Sequence, residues 1–274
     1  MTSPLTTQLH DTYAILIQQW TSTSIWTKAA SILAFPLGYY FYLDIKSRYH
    51  YWLSLGPGGL PNDFRGYMIQ GFLHYVSTLD TKSVECYDRP ERYVKGWKQA
   101  SESRRAGLMK SYFKEPVPRR RGRKGRAMDF VAPQREFKAG EWRAPHVVDG
   151  YRAAWADLCE RNSEHIEVRV SGLERRGNAL FLKSSLSAPL GATRNGEIAH
   201  IHESDYSAHV SLSFADAKEV IANGHGERHR LSGVGPLSYG YIMLYVPRTA
   251  DEVELMKRIM QAGVDFMRSS QPQE

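Results

Sequence analysis

Residues 196–233 read GEIAHIHESDYSAHVSLSFADAKEVIANGHGERHRLSG, and five of the ten histidines, His200, His202, His209, His225 and His229, fall within them. The first part alternates as a strand does, with Ala199 and Ile201 on one side and His200 and His202 on the other. From Tyr206 to Phe214 the alternation returns. Tyr206, Ala208, Val210, Leu212 and Phe214 form an apolar face, and Ser207, His209, Ser211 and Ser213 a polar one. A four-residue loop at 203–206 sets His202 opposite Ser207 and His200 opposite His209. That register brings the three imidazoles to one face and both apolar faces to the core. A three-residue loop would move His209 to the other face and separate the apolar sets. The pattern therefore predicts a hairpin with clustered histidines.

Imidazole titrates close to pH 7, so such a cluster suits proton transfer or metal ligation. Composition and spacing alone leave open a third reading, a polar sheet face in water. His225-Gly-Glu-Arg-His229 adds a cation, a carboxylate and two more rings after a short helix.

Outward from this stretch, the pattern predicts a helix from Val148 to about Arg161, with Tyr151, Ala154, Trp155, Leu158 and Cys159 inward. Strands follow at Ile166–Val170 and Ala179–Leu182 around a turn at 175–178. After the hairpin come a helix over 215–222, capped by Ser213 and stopped at Gly224, and a strand over 241–246. A last helix carries Val253, Met256, Ile259, Met260, Gly263 and Met267 inward, with Thr249 and Glu252 as a capping pair. Hairpin-linked strands flanked by helices predict an α+β fold with a largely antiparallel sheet packed with helices.

The N-terminal third differs in character. Ala29 to Leu43 is apolar, bounded by Lys28 and by Lys46 and Arg48, with Tyr39, Tyr40 and Tyr42 placed as an interfacial belt. It is shorter than the ~20 residues of a comfortable span. The expectation is an N-terminal transmembrane helix over about 25–43, single-pass in an intracellular membrane such as the endoplasmic reticulum, with the remainder facing the cytosol. Membrane lipid is then a partner. Cys86 and Cys159, the two cysteines, match no metal spacing and read as reduced.

Three regions result: 1–55 with the anchor, 56–145 as a bridge, and 146–274 as the α+β core. In the bridge, Asn62 or Asp63 caps a helix with an aromatic stripe. Residues 119–126, RRRGRKGR, put six basic residues among eight positions between prolines and predict a solvated loop. No aromatic residue interleaves them, so no nucleic-acid partner is expected. The sequence has no phosphate-cradling Gly-rich strand–turn–helix and no GxSxG elbow, which argues against nucleotide cofactors and serine hydrolysis.

GEIAHIHESDYSAHVSLS, GHGERHRLSG, YIMLYVPRTADEVELM and, upstream, LGPGGLPNDFRGYMIQ and CYDRPE resemble the luciferase family of bioluminescent mushrooms and its non-luminous relatives. The resemblance covers the chain apart from its extreme N-terminus and much of residues 93–146. Its motifs are specific for the family, not for light emission. Two positions depart from the luminous pattern, His225 where Trp is expected and Arg230 where Pro is expected, and Tyr239-Gly240-Tyr241 replaces a Trp-bearing stretch.

The resemblance implies cofactor-free oxygenation, with O2 as co-substrate, of a small aromatic polyketide, a hydroxylated pyrone such as 3-hydroxyhispidin. On that reading His200 or His202 is the base, positioned by His209. Arg228 steadies the developing anion, and His229 carries a second proton. Glu197, on the opposite strand face from His200, partners Arg228 or another cation. His225, Glu227, Tyr239 and Tyr241 contact substrate. Two alternatives stand beside it: a metal-dependent oxygenase with His200, His202 and His209 as ligands, lacking the usual carboxylate, and a non-catalytic binder of an aromatic metabolite.

Overall fold

In the computed structural model the chain is described over residues 4–270, with side chains from residue 12 onward. It divides into two compact units, Met1–Tyr51 and Trp52–Glu274.

The first unit consists of α1 (Pro4–Ser22) and most of α2 (Ile25–Leu53). Between them Ser24 caps α2, its Oγ accepting from the Thr27 amide at 3.1 Å. α2 continues through Pro36 for 29 residues, so length is no obstacle to crossing a bilayer. Composition is the obstacle. Tyr39, Tyr40 and Tyr42 carry hydroxyls, Lys28 precedes the apolar run, and Asp44, Lys46 and Arg48 follow it within the same helix. No helix among the described residues is long and apolar enough to cross a membrane. This overturns three expectations: the transmembrane helix, the single-pass placement in the endoplasmic reticulum membrane, and the cytosol-facing orientation derived from it.

The second unit is α+β. Six strands, β1 (Ile166–Val170), β2 (Asn178–Leu182), β3 (Glu197–Ile201), β4 (Ala208–Ser211), β5 (Gly226–Arg228) and β6 (Tyr241–Leu244), form one sheet in the order β1-β2-β3-β4-β6-β5. Every pairing is antiparallel, in agreement with the sequence reading. Of the helices α3 (Phe64–Leu73), α4 (Pro90–Tyr93), α5 (Glu102–Met109), α6 (Pro145–Arg161), α7 (Phe214–Ala222) and α8 (Ala250–Arg268), α8 makes the broadest contact with the central strands. Its Met256, Ile259, Met260 and Val264 share one buried core with Leu180, Ile198, Val210 and Ile242 of the sheet. Burial of a side chain of this size stabilises by about 1.5–3 kcal/mol. The contact is close. A Cβ added at Gly263 would lie 2.8 Å from Val210 Cγ2 and 2.9 Å from the Ser211 carbonyl oxygen.

The caps fall where the sequence puts them. Asp63 accepts from the Arg65 and Gly66 amides, Ser213 from Asp216 and Thr249 from Glu252. β5 was not legible, because three residues are too few for periodicity.

The basic run at 119–126 is solvated at five of its six cations, but Arg120 turns inward with a side chain 3% exposed. It donates to the Val246 carbonyl at 2.7 Å and pairs with Glu252 at 3.3 Å. Arg248 donates back to the Arg121 and Arg123 carbonyls, at 2.6 and 3.1 Å. Like charges repel along the run, yet one half-buried carboxylate and several backbone acceptors are enough to dock it.

Candidate active site

The hairpin takes the register that the alternation requires. His200 pairs with His209 and Ala199 with Val210, and the His202 amide donates to the Ser207 carbonyl at 2.8 Å across the loop at 203–206. Tyr206 closes that loop in the left-handed region, φ 63°. Ring centroids of His200 and His202 are 4.9 Å apart, those of His202 and His209 4.8 Å, and those of His200 and His209 5.2 Å. The polar face is not in water. The three rings are 2–3% exposed, with Glu174, held by Arg135, standing beside His202.

His229 and Tyr241 complete the group. β5 and β6 pair so that Glu227 lies opposite Met243, which itself lies opposite His209. Alternation then puts His229, two residues on, over the same face, with its ring 5.2 Å from that of His209. Tyr241 stacks on His209 at 4.8 Å and 18°. The same alternation sends Arg228 to the other face. Its guanidinium donates to the Asp80 and Ser83 carbonyls and to Cys86 Sγ, away from the imidazoles.

Around the rings stand three buried carboxylates and one guanidinium. Glu197 accepts from Ser171, Gly172 and Asn195 and bonds His200 Nδ1 at 2.6 Å. Strand parity alone sets Glu197 on the far face from His200. A bulge reverses that, since one step on β2, from Leu180 to Phe181, matches two on β3, from Ala199 to Glu197. Glu174 binds Arg135 through both oxygens, at 3.1 and 2.7 Å, and its Oε1 is 3.8 Å from His202 Nε2. Asp205 accepts from the Glu136, Phe137 and Ser207 amides and from the Ser207 hydroxyl. Arg135, 1% exposed, is the cation of this interior.

Burial is the first cause of the titration behaviour. It pushes His202 and His209 well below the ordinary imidazole value, helped by neighbouring positive charge, and His229 down to about 4. Burial raises Glu174, but Arg135 and the nearby imidazoles outweigh it and hold that carboxyl at about 2. Tyr241 is pushed up and stays a phenol. His202, His209 and His229 are therefore neutral rings beside the charged Glu174 carboxylate.

The remaining sequence candidates lie elsewhere. His225 is buried and its Nε2 bonds the Pro118 carbonyl at 2.7 Å, beside the docked basic run. Glu227 accepts from Tyr245 at 2.5 Å and lines a cavity of about 380 Å3 with Lys82, Arg126 and Arg230. Tyr239 packs edge-on against Tyr93 and lines a second cavity of about 260 Å3. Sequence reasoning missed Arg135, Glu174 and Asp205. The first two come from irregular chain, where no periodicity assigns a face.

An α+β protein with a sealed histidine–carboxylate cluster on one face of its sheet is the class that fold and site define. Residues 195–263, from β3 into α8, match the family model described as Luciferase domain. The chain is similar to the luciferase of Armillaria mellea, 29% identical over 255 residues that cover 87% of this chain and 84% of that protein. It is also similar to the luciferase of Neonothopanus nambi, 28% identical over 253 residues with the same coverage. No solved structure matches it. The similarity to fungal luciferases thus runs over most of the chain, and the Luciferase-domain match falls on its sheet and last helix. His200, His202, His209, His229, Glu197 and Tyr241 lie inside the matched domain, while Arg135 and Glu174 lie outside it.

Proposed function

We propose that this luciferase-like protein uses O2 to oxygenate a hydroxylated pyrone of the 3-hydroxyhispidin type, and that the reaction centres on His200, His202 and His209. One observation carries the reading. The Nδ1 atoms of the three rings are all bonded to acceptors of the protein, so Nε2 lone pairs are left in a water-poor interior. Such a set draws positive charge from an enol.

In the cofactor-free form, the enolic proton passes to Nε2 of His200 and His202, which stand 3.1 Å apart and can hold it between them. Sharing offsets the low basicity that burial imposes on His202 taken alone. The pyrone anion supplies the electrons that reduce O2. A C–O bond forms, the peroxide attacks the ring carbonyl, the O–O bond breaks and CO2 leaves. No external reductant enters the balance. The rings are nearly sealed, so a pyrone reaches them only when part of their cover opens.

The test is incubation of the full-length protein with hydroxylated pyrones under O2, following O2 uptake, photons and product mass. The expected product has the mass of substrate plus O2 less CO2, with photon emission as a separate readout. Tight pyrone binding without O2 uptake would make the protein a non-catalytic binder and refute the oxygenase reading.

A further inference from the structure

The orientation of the three imidazoles poses a chemical question that the hairpin register does not answer. Glu197 already accepts three other donors, so His200 Nδ1 is the donor in their 2.6 Å bond. Ser207 spends its one hydroxyl proton on Asp205, at 2.8 Å, so its Oγ accepts from His202 Nδ1 at 2.7 Å. His209 Nδ1 faces the Ile242 carbonyl at 3.3 Å, which also only accepts. A neutral imidazole carries one N–H. All three Nε2 atoms are therefore bare acceptors, and those of His200 and His202 point at each other across 3.1 Å. Two lone pairs at that distance repel unless something positive lies between them.

Among the described residues, one ligand atom from each of Glu174, His200, His202 and His209 lies within 4.8 Å of all the others. The charges point the same way. Glu174, Glu197 and Asp205 surround the rings with three carboxylates, and Arg135 offers one guanidinium.

We infer that Glu174, His200, His202 and His209 form a binding site for one divalent first-row transition-metal ion. Three imidazole nitrogens and one carboxylate oxygen suit iron, manganese, cobalt, nickel, copper or zinc. With metal–nitrogen bonds of about 2.0–2.1 Å, two ligands at tetrahedral to octahedral angles stand roughly 2.9–3.4 Å apart. The His200–His202 separation of 3.1 Å falls inside that range. The full spread of 4.8 Å is wider, so the ligands draw together when the site fills.

The surroundings are those of a ligating set. One ring donates to a carboxylate, one to a hydroxyl and one to a backbone carbonyl, and Arg135 orients Glu174. His229 is the control within the cluster. Its Nδ1 accepts the Leu231 amide at 3.0 Å, so its Nε2 carries the proton and the ring does not join the set.

This inference rests on the oxygenase reading but replaces its cofactor-free route, since a metal takes the Nε2 lone pairs that would hold the enolic proton, and it is tested without turnover. Full-length protein is stripped with a chelator, checked for its fold by circular dichroism, and titrated with Co(II) alone. Visible ligand-field bands are expected to saturate at one cobalt per chain, and untreated protein should carry one divalent metal by elemental analysis. His209→Gln and Glu174→Gln should lose that uptake and His229→Gln should keep it. Glu197→Gln, which weakens the orienting bond to His200 together with the contacts to Ser171, Gly172 and Asn195, should weaken cobalt binding about 10–100-fold in protein that keeps its circular-dichroism spectrum. Folded, stripped wild-type protein that takes up no cobalt at tenfold excess would overturn the site, as would His209→Gln binding like wild type or His229→Gln losing the metal. Metal-loaded protein inert toward every pyrone would sink the oxygenase and leave the site standing.

Discussion

Arg135→Ala tests the buried charge arrangement, because this guanidinium has no solvent to fall back on. It is 1% exposed and donates to Ser204 Oγ at 3.0 Å, the Gln134 and Pro57 carbonyls at 2.9 and 3.2 Å, and both oxygens of Glu174. Truncation leaves Glu174, held at about 2 chiefly by Arg135 against its own burial, without its counter-charge. Breaking a buried pair from one side costs about 3–5 kcal/mol. A domain is stable by about 5–15 kcal/mol in all, so the loss would be a large share of the total. Urea unfolding at pH 7 reads it as a lower midpoint at unchanged slope. Arg135→Ala combined with Glu174→Gln should recover part of the loss, since the second change removes the stranded charge, and a double-mutant cycle isolates that coupling. Arg135→Lys should stay destabilising because an ammonium cannot reproduce the two-pronged contact. A single variant within about 1 kcal/mol of wild type would mean that water reaches Glu174 and that the interior is not the dry cluster described.

Acid should weaken the fold through the imidazoles. Burial holds the folded-state pKa of His229 at about 4, while the unfolded ring takes its proton near 6.5, so this stability is full above pH 6.5 and is lost as pH falls toward 4. His229→Gln should flatten the stability profile by about 2 kcal/mol between pH 6.5 and 5, and identical profiles for variant and wild type would contradict that. His200→Gln or His202→Gln should lower turnover by about two to four orders of magnitude with a smaller change in pyrone binding, measured by single-turnover kinetics and by titration. Gly263→Ala should destabilise by about 1–2 kcal/mol despite better helix propensity, because its Cβ meets the sheet backbone at the Ser211 carbonyl. A higher melting temperature in that variant would refute the α8–sheet contact.

The histidine face was legible because strand period and loop length allow only one register that buries both apolar sets. Helix ends were legible through their caps, which are local chemistry. What stayed hidden depends on distance or on irregularity. Glu197 was placed on the wrong face because one bulge, invisible in the alternation, turns it toward His200. The carboxylate missing from the sequence reading of a metal site is Glu174, delivered from a turn between β1 and β2 and fixed by Arg135, 39 positions away in the chain. Arg228 stands beside His229 in sequence, yet strand alternation carries it to the opposite face. The anchor misled for another reason: tyrosines follow an apolar pattern while their hydroxyls, with the charges that follow in α2, keep that helix short of what a bilayer requires.

Oxygenation at the histidine cluster can be read from a single turnover under isotopically labelled O2. Wild-type protein and His202→Gln would each be mixed with a hydroxylated pyrone, and product and released CO2 analysed by mass. Labelled oxygen is expected in the wild-type products and is expected to be lost in the variant while the variant still binds the pyrone. Unlabelled products from wild type, or equal labelling by a folded His202→Gln protein, would contradict it.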